Sequence, residues 1–132
     1  MKARSVLSWL CRLVTAAGSL LVSAYGVYSY MGADFARDML AMGMFCALPM
    51  LSFPVFLLSF KSLRWSASLH WILAAAYLAV YTALDWRTCS ESAYCVSVMQ
   101  TLLQTLTARP VEAVFGVAVF NLAALILQRK AR

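Results

Sequence analysis

Ionisable chemistry is what this chain has least of. Five acidic residues and one histidine stand among 132. A single imidazole excludes a bis-histidine haem within one chain, and the sequence holds no Ser-His-Asp set, Gly-rich phosphate loop or H-E-x-x-H metal motif. None of the charged residues falls near the middle of a long apolar run, where ion- and proton-coupled transporters usually carry one. The four cysteines form no Cys-x-x-Cys pair of the kind thiol oxidoreductases use. On this material the chain is not expected to be an enzyme, and no cofactor is expected.

What is present is hydrocarbon. Hydrophobic residues make up 64% and charged residues 12%, against about 45–50% and 25% in soluble domains. The run from Leu40 to Phe60 is uncharged and has the roughly twenty residues a helix needs to cross a bilayer core of about 30 Å. Pro49 and Pro54 within it each remove an N–H, freeing the carbonyls of Phe45 and Met50. A span tolerates this when side chains or neighbouring helices answer those carbonyls, and it bends there. The two prolines are therefore the candidate hinge.

Three more runs have the same character, so the expected fold is an all-α integral membrane protein, one domain over residues 1–132. The expected architecture is a four-transmembrane-helix bundle with spans at about 13–31, 39–60, 69–84 and 110–127. A partly helical, disulfide-containing outer loop, 85–109, is expected to join the last two spans. The first run, preceded by Lys2 and Arg4, competes with a signal peptide ending near Val22-Ser23-Ala24. Its uncharged length of roughly nineteen residues exceeds the 7–15 of a signal core. In the outer loop Met99, Leu102, Leu103 and Leu106 share one helical face and Gln100, Thr101, Gln104 and Thr105 the other, the pattern of a helix that lies in the membrane interface or caps the bundle.

The net charge of +6 does not point to nucleic acid, because the basic residues flank apolar runs. Lys2, Arg4, Arg12, Lys61, Arg64, Arg129, Lys130 and Arg132 fall on one side of the expected topology, and only Arg37, Arg87 and Arg109 on the other. The positive-inside rule then puts both termini in the cytoplasm, with the chain in the inner (plasma) membrane.

Four sets of residues are candidates for more than spanning. Cys89 and Cys95, in the outer loop, are expected to be bonded, a clasp worth on the order of 2 kcal/mol; a redox pair is the alternative. Met39, Met42, Cys46 and Met50 recur three or four residues apart, so their sulfurs share a face of the kind Cu(I) accepts, although methionine also serves as plain filler. Ser19, Ser23 and Gly26 in the first run and Ala75, Ala79 and Ala83 in the third make small-residue faces on which helices approach closely. Asn121, deep in the fourth span, needs an interhelical hydrogen bond, with Ser19, Ser23 or Tyr77 as candidate partners. His70 beside Trp71 reads as an interfacial anchor.

With so little reactive chemistry, the expected function is contact: an accessory subunit or immunity-type protein of a membrane complex, pairing with another membrane protein or with itself. A small transporter or channel component, copper-related through the sulfur face, and a membrane thiol-disulfide protein are the alternatives.

Overall fold

A computed structural model describes the backbone of residues 2–32, 39–92 and 98–131, and all their side chains except those of residues 2, 88–92 and 131. Among the described residues there are six helices and no strand: α1 (Lys2–Met31), α2 (Met39–Met50), α3 (Ser52–Leu58), α4 (Leu63–Ser92), α5 (Val98–Leu106) and α6 (Arg109–Ala131). Helices α1, α4 and α6 are long and apolar enough to cross a membrane. The pair α2 and α3, bent by 41° to each other, makes a fourth candidate if counted as one span.

The core is built on small and β-branched residues. Val22 of α1, Ala74 and Tyr77 of α4, and Val111, Val114, Val117 and Ala118 of α6 form its buried centre. Helix α1 packs most extensively on α6, with α2 and α3 filling the space between α1 and α4. Close approach is enforced at Gly26, where an added Cβ would lie 2.9 Å from both the Cys46 carbonyl oxygen and the Met50 nitrogen. Such contacts, and not the expulsion of water, hold helices together in a hydrocarbon solvent. The outer surface fits that solvent, since Leu20, Leu21, Val27, Phe60, Ile72, Val119 and Phe120 all point outward, an arrangement that would aggregate in water.

Several sequence expectations need correction. The run from 39 to 60 is two helices and not one. Helix α4 begins at Leu63 and carries through Asp85, Trp86 and Arg87 to Ser92, so the start of the expected outer loop is helix. Ala75, Ala79 and Ala83 all lie on the exposed face of α4. His70 is no surface anchor and is only 3% exposed.

Helix α5 forms where the amphipathic pattern predicts it, with its faces assigned by the hydroxyls. Thr101 and Thr105 are buried while Met99, Leu103 and Leu106 are exposed, and Thr105 donates through Oγ1 to the Asp85 carboxylate at 3.1 Å. The Cys89 side chain and Cys95 lie outside the described residues. Among the described residues no cysteines stand at disulfide distance, and Cys11 and Cys46 are free.

Candidate functional site

The site grows from a backbone defect. Each proline of the bent span withholds an N–H, and between them the helix breaks at Leu51, whose own N–H is shared between the carbonyls of Ala47 at 3.1 Å and Leu48 at 3.3 Å. An unanswered carbonyl at membrane depth costs several kcal/mol. Neighbouring helices supply partners at the break and on its far side.

Ser23 of α1 serves the break itself. Its hydroxyl reaches the Met50 carbonyl, orphaned by Pro54, at 3.1 Å and the Pro49 carbonyl at 3.3 Å. Its oxygen accepts the Phe53 N–H at 3.0 Å, which a continuous helix would have sent to Pro49. One serine thus replaces the interrupted turn.

Helix α4 serves the far side of the break with two residues one turn apart. Ser66 donates to the Val55 carbonyl at 2.8 Å, which is free because the Ser59 N–H turns to Phe56 instead. His70 approaches the Ser52 carbonyl through Nε2 at 3.1 Å. A carbonyl can only accept, so Nε2 carries the proton. The other ring nitrogen, Nδ1, then accepts from the Asn121 amide at 2.6 Å, while that amide's second proton goes to the Ser66 hydroxyl at 3.0 Å. The geometry therefore fixes the neutral Nε2–H imidazole.

Ser66, His70 and Asn121 are among the most buried polar side chains described. His70 and Asn121 sit about 9 Å and 12 Å in from Arg64 and Arg129, the basic ends of α4 and α6, counted at 1.5 Å per residue, and Ser66 lies one turn nearer the end of α4. Asn121 does meet a neighbouring helix, as its depth required, but its partners are Ser66 and His70 and not Ser19, Ser23 or Tyr77. Sequence reading missed Ser66 and took His70 for an interfacial anchor. The available signal was their four-residue spacing just after a proline-broken span.

The remaining candidates are more scattered. Ser19 is fully buried but its hydroxyl finds no partner. Met39 is 76% exposed at the start of α2, whereas Cys46 is buried. Met39 and Met50, eleven residues apart, are separated by about 16 Å along a helix, so one ion cannot touch the whole sulfur set. Cys46 and Met50 do share a shallow depression of about 350 Å³ with Tyr30. Among the described residues no cluster of His, Cys, Asp or Glu suits a metal.

Chemically, the serine, imidazole and amide set is a clamp. Its donors and acceptors are spent on one another and on the broken helix, so it specifies a bent span and leaves little free for reaction. Comparison with protein-family models, with curated proteins and with solved structures gave no significant match.

Proposed function

We propose that the protein works by contact, as an accessory subunit or immunity-type component of a complex in the inner membrane, with both termini in the cytoplasm. The observation that carries this reading is the outward position of Ala75, Ala79 and Ala83 on α4. Small residues at four-residue spacing let a second backbone approach closely, and the chain's own packing leaves this face open. A groove of about 410 Å³ between α1 and α6, lined in part by Gly18, Ala113 and Gly116, offers a second small-residue surface.

The test is Ala79→Leu. This exposed substitution is expected to leave thermal unfolding in detergent unchanged and to abolish a stoichiometric complex or dimer recovered from mild detergent. Wild-type protein that is monomeric and without a reproducible partner would remove the reading. The clasp between Cys89 and Cys95 belongs to the same proposal, and alkylation before and after reduction tests it; two thiols free in the oxidised protein would end it.

A second reading, a transporter or channel component, is favoured by one observation, the 41° break between α2 and α3 held by side chains from α1 and α4. Broken spans at membrane depth are common where substrates pass. In its copper form Cys46 and Met50 would be ligands, and metal analysis of the purified protein decides that version.

A further inference from the structure

At the end of the bundle away from α5, four cations face one cavity. Arg12 of α1, Lys61 and Arg64 at the turn into α4, and Arg129 of α6 line a space of about 430 Å³, together with Ser59 and Gln128, and no carboxylate is among the lining residues. Arg12 is held in place: its guanidinium donates to the Ser59 hydroxyl at 3.4 Å and lies 5.2 Å above the centre of the Phe60 ring, a favourable cation–π placement.

No internal countercharge reaches this cavity from the described part of the chain. The described carboxylates are Asp85 and Glu112. Asp85 is 21 residues beyond Arg64 on α4, about 31 Å, and Glu112 is 17 residues before Arg129 on α6, about 26 Å. Both distances are close to the roughly 30 Å thickness of a bilayer's hydrocarbon core. Positive-inside topology accounts for basic residues on one side of a membrane, but not for their convergence from three chain segments, with hydroxyl and amide donors, on one hollow.

We infer that this cavity binds a phosphate group. Guanidinium and ammonium groups with hydroxyl and amide N–H donors match the charge and acceptor geometry of phosphate oxygens. A basic pocket between helix ends at the membrane surface has the chemistry that anionic phospholipid headgroups select, and the adjoining Leu63 and Leu125 side chains give an acyl chain apolar surface. The same donors would hold free inorganic phosphate.

The experiment has one arm for each source. The full chain, released from nanodiscs holding equal phosphatidylglycerol and phosphatidylcholine, is examined by native mass spectrometry. In parallel, thermal unfolding in detergent is followed as inorganic phosphate is titrated against chloride at fixed ionic strength. Wild-type protein is expected to retain phosphatidylglycerol in preference to phosphatidylcholine. Lys61→Gln and Arg129→Gln, both at exposed positions where folding is not at risk, should each lower that retention about fivefold, the worth of one basic contact at a membrane surface. Arg12→Gln should do the same, and Lys61→Arg should restore it.

A phosphate-dependent rise in unfolding temperature that the same variants remove, without lipid preference, also supports the site and assigns it to soluble phosphate. Equal retention of both lipids with no phosphate shift overturns the inference. So does a preference that the three glutamine variants leave intact.

Discussion

Ser19 and Ser23 sit one turn apart on the same face of α1, and the structure assigns them opposite energetic signs. The Ser23 hydroxyl answers the Met50 carbonyl and accepts the Phe53 N–H; the Ser19 hydroxyl is buried with no partner. Interhelical hydrogen bonds in membrane proteins are worth about 0.6 kcal/mol on average and up to about 1.7, so losing two of them costs about 1–3 kcal/mol. Replacing serine by alanine in a helix returns roughly 0.5 kcal/mol. Ser23→Ala is therefore expected to destabilise by about 1–2 kcal/mol. Ser19→Ala loses no bond, gains the same propensity term and relieves an unmet hydroxyl, whose burial costs about 1–3 kcal/mol. It should be neutral to stabilising by about 1 kcal/mol or more. The assay is reversible unfolding in mixed micelles with increasing dodecyl sulfate, read by fluorescence of Trp65 and Trp71, which flank the clamp on α4. Equal losses in the two variants, or a Ser23→Ala protein as stable as wild type, would refute the assignment of Ser23 to the break.

Gly26→Ala places a Cβ against backbone atoms of α2 at 2.9 Å, so α1 and α2 must separate. A loss of about 1–3 kcal/mol is expected in the same assay. Gly18→Ala meets only a Val117 methyl, at 2.8 Å, and with the helix-propensity gain of about 1 kcal/mol it should cost clearly less. A double-mutant cycle of Asn121→Ala with His70→Ala should return a coupling of about 0.6–1.7 kcal/mol. A cycle of Asn121→Ala with Thr105→Ala, whose hydroxyl bonds Asp85 on another part of α4, should return none. A coupling of the same size in both cycles would mean that the His70 contact is not specific.

The candidate spans were legible because their signal is length without charge, which a bilayer imposes regardless of partners. The runs leading into Met31, Leu84 and Leu127 fall on single helices, and the run into Phe60 falls on α2 and α3, the latter ending at Leu58. The break at Leu51 was legible in kind, because two prolines five residues apart cannot both be accommodated in an unbroken ladder. What could not be read was which hydroxyl answers which carbonyl. Thr15, Ser19 and Ser23 repeat at four-residue spacing and are indistinguishable in sequence. Thr15 bonds back to the Cys11 carbonyl of its own helix, Ser19 bonds nothing described, and Ser23 crosses to α2 and α3. That difference depends on helix rotation and on the height at which α2 breaks. For a related reason the sequence could not say whether Ala75, Ala79 and Ala83 face inward or outward, since small residues mark a face fit for close approach but do not say whose backbone approaches.

Helix α5 shows the rule beneath these corrections. A soluble-protein reading buries Met99, Leu103 and Leu106 and exposes Thr101 and Thr105; the structure does the reverse. When the surrounding solvent is hydrocarbon, an outward leucine loses nothing, while an outward threonine beside lipid has only its own backbone to bond. On α5 the inward positions go to Thr101 and Thr105, while Gln100 and Gln104 stay exposed, and Thr105 finds Asp85. The same preference turns His70 inward although it lies near a helix end, brings Ser66 and Asn121 together, and leaves α4's alanines outside. The arginines and lysines at the other end obey it too, gathering where water and phosphate can reach them. In this chain the polar residues decide which faces meet, and the apolar ones accept the result.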